Sequence, residues 1–399
     1  MLVPMCRVPC RGERVQTAVA AWPSCAPSVR RALALPAARS PAARQAASRP
    51  AAPPTATSSP AATLPPPPFT PPPRPWTEHA WTWRGHACRF VEAGDPAGPA
   101  VLLMHGFGAS ADHWRFNVGP LAAAGYHVFA LDLLGFGGSA KPDVAYSVDL
   151  WRDQLLDFVA EKVTQASPPP PPPAAANKKK VVLVGNSLGS LVALAAAAAS
   201  PATFAGLVCL NLAGGMNSKA RGLDDDWRLQ LARPLFALID FLLSIRPLAR
   251  RIFDGVRAPA NLKGVLLSVY RNAAAVDDDL VDLISRPAGE AGALAAFITI
   301  ITGDPGPKPQ ELLPGWTGPL LFVWGDADPF TPVDGPVGQW ATSLAATRPG
   351  TAFELLADVG HCPHDDRPGE VHARLLPWLA GVVGKAGGGG GGVVAAGAT

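Results

Sequence analysis

The sequence predicts an α/β fold: a mostly parallel central sheet flanked by helices, with a helical cap inserted between two core strands. Short and wholly apolar runs such as Ala100–Met104 and Val181–Val184 have the length and composition of buried parallel strands. Segments with helical spacing separate these runs, which is typical of a parallel sheet with right-handed crossovers. Residues 214–314 carry helical patterns only, and we assign them to the cap.

The elements follow in chain order from residue 78. His79–Val91 predicts two short strands around Arg84-Gly85, a hairpin at the sheet edge. The predicted core strands are Ala100–Met104, Tyr126–Leu131, Val181–Val184, Leu207–Leu212, Pro319–Trp324 and Ala352–Leu356. The predicted helices are Val148–Thr164, one from about Leu188, Trp227–Ile245, Asn261–Asn272, Val276–Ile284, Ala293–Thr302, one from about Val333, and Glu370–Leu379. The core therefore divides into residues 78–213 and 315–384.

Three segments do not fit this alternation of strands and helices. Residues 166–180 contain six consecutive prolines and predict a surface insertion, because proline cannot enter a sheet. The Gly-rich residues 385–399 predict a disordered tail. Residues 1–77 predict a disordered transit peptide and Pro-rich linker, since the first 75 residues hold nine Arg, no Lys and one acid. Their composition does not separate a chloroplast from a mitochondrial destination.

Charge and cysteine usage exclude several classes of function. Beyond residue 75 the chain carries 25 basic and 30 acidic residues, which argues against a nucleic-acid partner. Cys88, Cys209 and Cys362 are far apart and predict neither a disulfide framework nor a metal site. There is no dinucleotide-binding glycine motif in the right context, so we predict no cofactor and no metal.

One stretch carries the first signal for chemistry. The apolar strand ending at Val184 runs into Gly-Asn-Ser-Leu-Gly and then into an Ala/Leu/Val helix. A sharp Gly-x-Ser-x-Gly turn between a strand and a helix raises the hydroxyl of Ser187 above the sheet as a nucleophile. The glycines, Gly185 and Gly189, allow the strand and helix to approach closely. The pattern alone is weak, because an ordinary strand-to-helix turn can also match it.

The partners that a serine nucleophile needs follow in the order Ser, acid, His. Asp328 lies after one predicted strand, and His361 lies after the last one. All three residues fall at the carboxyl ends of strands, where an open α/β sheet places its site. Asp326 is the alternative acid in the same loop, and His364 is the alternative base. We favour Asp328, which precedes Pro329, and His361, since His364 is expected to open the last helix as a structural residue.

Two backbone amides are predicted to stabilise the developing oxyanion. One is the amide of Leu188, directly after the nucleophile, and the other is that of Phe107 in the loop after Ala100–Met104. His105 is predicted to pack this loop. His113 and Trp114 are predicted to lie in the core beneath the site, with substrate contact as the alternative.

Several motifs together resemble the plant and algal α/β-hydrolases, within them the chloroplast group that contains pheophytinase and chlorophyll dephytylase. The motifs are His105–Ser110, Ala130–Gly137, Gly185–Gly189, Asp328 and Gly360–Pro368. The resemblance spans roughly residues 79–380 and departs from the group at Ser190, where Gly is usual, and in the proline insertion. It implies the α/β-hydrolase fold, a Ser187-Asp328-His361 triad and a plastid location.

The sequence thus predicts a serine hydrolase that cleaves a carboxylic ester of a lipophilic substrate through an acyl-enzyme. The resemblance includes enzymes that cleave the phytyl ester of chlorophyll or pheophytin, and the apolar cap suits such an ester. The alternatives are a hydrolase-fold ligand receptor with little turnover and a lipase or esterase acting on plastid lipids. Epoxide hydrolases share the architecture but use an Asp nucleophile, which Ser187 disfavours. The predicted partner is a small lipophilic ester; peripheral membrane contact is left open and the oligomeric state is unknown.

Overall fold

The computed structural model of the protein describes residues 74–164, 180–217 and 233–387. Within these ranges eight strands form one sheet in the order β1-β2-β4-β3-β5-β6-β7-β8. The strands are β1 (Thr77–Trp83), β2 (His86–Ala93), β3 (Ala100–Met104), β4 (His127–Leu131), β5 (Val181–Asn186), β6 (Phe204–Leu210), β7 (Leu320–Gly325) and β8 (Thr351–Leu356). The pairs β1/β2 and β2/β4 are antiparallel and the remaining pairs are parallel. The predicted mostly parallel α/β fold is therefore confirmed.

The hairpin at the edge of the sheet forms where the sequence predicts it. Arg84 and Gly85, at φ 48° and 81°, make the two-residue turn, and such turns match the twist of the strands they join. Strand β1 begins at Thr77, the last residue assigned to the linker from the sequence. Trp76 also packs against the core, so the folded body begins slightly earlier than predicted.

Helices cover both faces of the sheet. Those of the core are α1 (Val118–Ala123), α2 (Val148–Phe158, continued by a π-turn at Val159–Val163) and α3 (Leu188–Ala199). Alternate residues of the strands feed two separate apolar clusters, one on each face: Leu102 and Met104 belong to one, Val101 and Leu103 to the other. The parallel strands are buried on both sides, which explains their continuous apolar sequences.

The segment between β6 and β7 contains only helical elements among its described residues. They are α4 (Arg233–Ser244), α5 (Arg246–Arg257), α6 (Pro259–Val269), α7 (Asp278–Ser285), α8 (Ala293–Thr302) and the short α9 (Pro309–Leu312). Helix α5 was not predicted. Its four arginines mask the apolar spacing of Leu248, Ile252 and Phe253. We call α4 to α8 the cap; residues 218–232 of the predicted first cap helix lie outside the described residues.

The second part of the core follows the cap, with α10 (Pro336–Thr347), α11 (Pro363–Asp366) and α12 (Pro368–Gly387) around β7 and β8. Several predicted boundaries differ by a few residues, and α12 runs from Pro368 to Gly387 where Glu370–Leu379 was predicted. Strand β6 begins at Phe204, whereas Leu207 was predicted, because glycine at 206 has a weak strand propensity. The structure needs a glycine there, since a Cβ on Gly206 would lie 2.7 Å from the ring of Trp378. Helix α10 begins at Pro336 instead of Val333, since proline is well suited to the first helical position. Residues 165–179 and 388–399, which hold the predicted insertion and tail, lie outside the described residues.

Candidate active site

Ser187 occupies the turn between β5 and α3 in a backbone conformation that few side chains adopt. Its φ and ψ are 53° and −118°, and it is partly exposed while its neighbours are buried. A Cβ on Gly185 would lie 2.4 Å from the amide nitrogen of Ser190, and one on Gly189 would lie 2.2 Å from the carbonyl oxygen of Met104. Both glycines are thus required by close packing, as the sequence predicts. The elbow holds the hydroxyl of Ser187 clear of the sheet.

Ser190 replaces the glycine that the resemblance leads one to expect. It is fully buried, and its hydroxyl donates to the carbonyl of Gly185 at 2.7 Å. That carbonyl belongs to the strand leading into the turn. The extra side chain therefore adds a bond within the elbow and does not disrupt it.

The structure brings Asp328 and His361 together. Asp328 lies in the loop after β7 and His361 in the loop after β8, and Oδ2 of Asp328 is 2.8 Å from Nδ1 of His361. The two residues are 3% and 7% exposed, so this pair is sheltered from water. A carboxylate bound to Nδ1 fixes the ring and leaves Nε2 as the acceptor for a proton.

Asp328 is held by residues that the sequence did not single out. Its Oδ2 also accepts from Nδ2 of Asn211 at 2.6 Å and from the hydroxyl of Thr331. Its Oδ1 accepts from the amides of Phe330 and Thr331 at 2.7 and 3.1 Å. Burial alone would raise the pKa of Asp328, but the hydrogen bonds and the charge of His361 outweigh it and lower the pKa to about 2. The carboxylate is therefore ionised at neutral pH.

The two alternative residues lie in different surroundings. Asp326 is exposed, and its carboxylate accepts a long bond of 3.4 Å from the amide of Val359. His364 is fully buried in α11, with its ring 4.2 Å from that of Trp114. Burial lowers the pKa of His364 well below its ordinary value. Asp326 thus makes a turn contact, and His364 packs in the core.

His361 is tied to the elbow through its backbone. Nδ2 of Asn186, the residue before Ser187, donates to the carbonyl of His361 at 3.0 Å. Among the described residues, neither the hydroxyl of Ser187 nor Nε2 of His361 has a hydrogen-bond partner. In enzymes without substrate, the hydrogen bond between the nucleophile and its base is often long, and it shortens when substrate binds. The loop of His361 is thus held against the elbow, and the hydroxyl of Ser187 and Nε2 of His361 are both without a partner among the described residues.

The two predicted oxyanion amides flank the same turn. Leu188 is the first residue of α3, and Phe107 lies in the loop after β3. That loop presses on the elbow: a Cβ on Gly106 would lie 3.4 Å from Cβ of Ser187. Within the described part of the chain, neither amide has a hydrogen-bond acceptor. Two free donors beside one hydroxyl can stabilise the charge that develops on a carbonyl oxygen.

A polar seam joins the cap to the loop that carries His361. We define it as Arg115, His113, Tyr270, Asp365 and Asp366. Arg115 donates to both oxygens of Asp365 at 2.8 and 3.2 Å and to Asp277 of the cap at 2.7 Å. The hydroxyl of Tyr270 donates to Asp365 at 3.0 Å and lies 2.7 Å from Nε2 of His113. Since that hydroxyl has only one proton, His113 must donate to it from Nε2.

The cap and the seam together hold the backbone around His361. The amide of His361 donates to the carbonyl of Val269, the last residue of α6, at 3.0 Å. Asp366 accepts from the amides of Gly360 and Asn272 at 2.7 Å each. The position of the imidazole therefore depends on the cap as well as on the sheet.

A second, aromatic seam joins the cap to the loop after β3, which carries Phe107. It consists of Phe107, Phe136, Phe253 and Phe297. The ring of Phe107 lies 5.6 Å from that of Phe136 and 6.2 Å from that of Phe297 in α8, which in turn lies 5.0 Å from Phe253 in α5. Phe107 is 40% exposed, so this seam borders open space next to the elbow.

Two other predictions concern histidines near the elbow. Nε2 of His105, fully buried, accepts from the amide of Leu133 at 3.1 Å, as expected of a loop-packing residue. His113 is buried as well, and burial together with the charge of Arg115 lowers its pKa to about 3. It is thus a neutral core residue, in agreement with the favoured prediction.

Asn211, Thr331 and Arg115 contribute to the site and were missed from the sequence. Asn211 has a positive φ of 44° directly after β6, but nothing in the local sequence marks it.

Among the described residues, no three His, Cys, Asp or Glu side chains are arranged to hold a metal ion. None of the described helices could cross a membrane alone; Asp278–Gly289 and Ala293–Thr302 together have the length and composition, but the pair is bent by 94°.

Comparisons with known proteins agree with this architecture. A model of the alpha/beta hydrolase family matches residues 101–374, more than half of the chain. Epoxide hydrolase A of Mycobacterium tuberculosis is 29% identical over 349 residues, which cover 77% of this chain and 98% of that protein. The chloroplastic pheophytinase of Arabidopsis thaliana is 24% identical over 319 residues, which cover 70% of this chain and 61% of that protein.

Solved structures give the same picture. A membrane phospholipase A, described as a bacterial virulence factor, superposes with a TM-score of 0.55 at 27% identity, covering 78% of this chain and 87% of that one. The bacterial epoxide hydrolase matches this chain at higher identity than the plastid protein does. The narrower resemblance to the chloroplast group therefore stays a proposal.

Proposed function

The chain belongs to the alpha/beta hydrolase family, and from that premise we propose that it is a serine hydrolase cleaving a carboxylic ester of a lipophilic substrate through an acyl-enzyme. The observation that carries the proposal is the buried pair of His361 and Asp328, joined at 2.8 Å beside the strained turn of Ser187. A nucleophile, a base and an orienting acid are the minimum for this chemistry.

In the first step the hydroxyl of Ser187 attacks the ester carbonyl while Nε2 of His361 accepts its proton. The Nδ1–H of His361 stays bonded to Asp328, which is ionised at neutral pH and so stabilises the imidazolium. The amides of Phe107 and Leu188 donate to the oxyanion of the tetrahedral intermediate. Removing one such donor in comparable enzymes costs about 10²- to 10³-fold in kcat.

The intermediate collapses when the imidazolium of His361 gives its proton to the departing alcohol. This leaves an acyl group on Ser187. A water molecule then attacks the acyl carbonyl, with His361 again taking the proton, and the acid product leaves. When this second tetrahedral intermediate collapses, His361 passes the proton taken from water to the oxygen of Ser187. The original serine proton has left with the alcohol, so the free enzyme is restored.

The aromatic seam supports a lipophilic substrate. Phe107 lies on the loop packed against the elbow and is 40% exposed, and its ring is 6.2 Å from that of Phe297. Burying such apolar surface against a hydrocarbon chain is favourable by about 25 cal/mol per Å². The similarity to a pheophytinase makes the phytyl ester of chlorophyll or pheophytin the first substrate to test, together with the proposed chloroplast location. The similarity to a membrane phospholipase A makes lipid esters the second.

An epoxide hydrolase activity is the competing assignment, because a relative bears that name. Epoxide hydrolases of this architecture use an aspartate at the elbow, whereas this chain has Ser187 there. In that chemistry the aspartate carboxylate opens the epoxide and becomes a covalent ester with the substrate. A serine hydroxyl cannot form such an ester. The residue at the elbow thus favours ester hydrolysis.

The central test is acyl-enzyme formation with p-nitrophenyl esters. The protein should release nitrophenol in a burst and then turn over, whereas Ser187→Ala should give neither, with unchanged far-UV circular dichroism. Ser190→Ala, three residues away, serves as the matched control and should retain a burst. Equal rates for the protein and Ser187→Ala would reject the proposal, and a folded protein with neither a burst nor steady release of nitrophenol would favour the receptor alternative.

The substrate is tested separately. The protein would be incubated side by side with chlorophyll, pheophytin, a galactolipid and a triacylglycerol, with Ser187→Ala as the blank. Free phytol from either pigment would support the phytyl-ester assignment. No phytol from either, with turnover of p-nitrophenyl esters, would reject that substrate and leave the serine esterase standing.

A further inference from the structure

The corner between α4 and α5 exposes apolar side chains that the described part of the fold leaves uncovered. Only Ile245 separates the two helices, and it is 41% exposed. Leu238 and Phe241, three residues apart on one face of α4, are 51% and 62% exposed. Leaving a phenylalanine and two aliphatic side chains in water is unfavourable unless something covers them.

The same corner carries cations without partners. Arg246, Arg250 and Arg251 are exposed, and among the described residues none of them forms an ion pair. Arg246 and Arg250 lie one helical turn apart, so they point in similar directions. By contrast, Arg257 at the far end of α5 is paired with Asp254 at 2.8 Å. The unpaired charge is thus concentrated at the corner.

This positive charge stands out against its surroundings. The stretch 233–257 holds five arginines and two aspartates, whereas 276–290 holds four aspartates, one glutamate and one arginine. The chain beyond residue 75 is acidic as a whole. A local excess of cations beside exposed apolar groups matches the boundary of an anionic bilayer, where headgroups attract arginine and acyl chains accept apolar side chains.

We propose that the corner formed by Leu238, Phe241, Ile245, Arg246, Arg250 and Arg251 docks the protein onto the surface of an anionic lipid bilayer. Phe241 and Ile245 enter the boundary between headgroups and acyl chains, and the three arginines contact lipid phosphates. The docking is independent of the chemistry at Ser187. If the ester-hydrolase proposal also holds, the cap would face the membrane in which a lipophilic ester is dissolved.

The test is co-sedimentation of the protein with vesicles of phosphatidylcholine, with and without phosphatidylglycerol. Binding should require the anionic lipid and weaken with added salt. Each Arg→Gln change at 246, 250 or 251 should reduce the partition coefficient about fivefold, and all three together about 10²-fold. Phe241→Ser should reduce it about tenfold through lost apolar contact.

The matched control is the triple variant Arg84→Gln, Arg152→Gln and Arg374→Gln, which makes the same charge change on the core. It should bind anionic vesicles within about twofold of the unchanged protein, since screening limits the effect of distant charges. Short p-nitrophenyl ester hydrolysis in solution should be unaffected in both triple variants. Ser187→Ala should bind vesicles normally, which separates this proposal from the ester-hydrolase one.

Three results would overturn the docking proposal. They are absence of binding to anionic vesicles, equal binding to neutral and anionic vesicles, and undiminished binding of the corner triple variant. Binding of the corner to an acidic protein or to nucleic acid in place of vesicles would likewise reject a lipid surface as its partner.

Discussion

The cap meets the core along two seams of opposite chemistry. The polar seam fixes Asp365 with the guanidinium of Arg115 and the hydroxyl of Tyr270, all of them buried. The aromatic seam joins Phe107 to Phe297 by ring contacts alone, and Phe107 is 40% exposed. Hydrogen bonds between buried charges are directional and allow one geometry, whereas ring contacts tolerate rearrangement.

The difference explains how one cap can serve two needs. The polar seam lies against the loop of His361, because Asp366 accepts from the amide of Gly360, and the amide of His361 bonds to Val269 of the cap beside it. In the proposed function these contacts fix the base. The aromatic seam lies against the loop that carries Phe107, which in the proposed function is the side where the substrate enters. Polar residues thus give the cap a rigid contact on one side, and aromatic residues give it an adaptable contact on the other. Substitutions in the two seams should therefore differ in their effects on stability and on substrate selectivity.

The largest effect is expected from Arg115→Met. It leaves Asp365 buried without its cation and should lower the free energy of unfolding by about 3–5 kcal/mol at pH 7. Urea unfolding measures it, with Arg84→Met as the control, because Arg84 is exposed and its pair with Asp153 contributes at most about 1 kcal/mol. Equal losses in the two variants would contradict the rigid role of the polar seam.

The same variant should respond to pH. Burial raises the pKa of Asp365 to about 6 despite Arg115, and without the guanidinium the pKa should rise further. A carboxyl whose pKa is higher in the folded than in the unfolded state destabilises the fold as pH rises through the folded value. Arg115→Met should therefore lose less stability at pH 5 than at pH 7. A loss independent of pH would mean that Asp365 does not carry the effect.

A loss of intermediate size is expected from Asp328→Asn, whose carboxylate holds the ring of His361. The pKa of Asp328 is about 2 in the folded state against about 3.9 in the unfolded one, so its ionisation stabilises the fold by about 2–3 kcal/mol at pH 7. This contribution is complete above about pH 5 and is lost as pH falls toward 2. Unfolding at several pH values should show the variant and the unchanged protein converging in acid. Asp326→Asn, which is exposed, should change little at any pH.

A smaller loss is expected from Tyr270→Phe. Removing the hydroxyl leaves Nε2 of His113 and one oxygen of Asp365 with a partner fewer, at a cost of about 1–3 kcal/mol. Tyr146→Phe is the matched control, since the hydroxyl of Tyr146 bonds to one backbone carbonyl, that of Pro142. Its loss should be about 1 kcal/mol or less. A larger loss in Tyr146→Phe than in Tyr270→Phe would contradict the network.

The smallest effect on stability is expected in the aromatic seam. Phe297→Ala removes a partly buried ring and should cost about 1 kcal/mol, because the site borders open space. Its effect should appear in selectivity: the ratio of kcat/KM for a long-chain over a short-chain p-nitrophenyl ester should fall about tenfold. Leu267→Ala, an exposed cap position outside the seam, is the control. An unchanged ratio in Phe297→Ala would remove the seam from the substrate path.

Much of the fold and part of the candidate site could be predicted from local sequence. Continuous apolar runs marked the parallel strands, and Arg84-Gly85 marked the hairpin, because burial on both faces and a tight turn each leave a local pattern. Helix α5 was missed since four arginines mask its apolar face. Ser187, Asp328 and His361 could be proposed because their order along the chain and their places after strands follow from the architecture.

The sequence by itself determined the α/β class, the elbow at Ser187 and the loops that hold Asp328 and His361. Only the tertiary structure decided which distant polar groups pair: Asn211 with Asp328, Tyr270 with His113, and Arg115 with Asp365, which are 250 positions apart in the chain. Strand and turn patterns reflect interactions between near neighbours, which the order of residues records directly. A buried polar pair depends on where the chain path brings two distant residues, and no local pattern encodes that path.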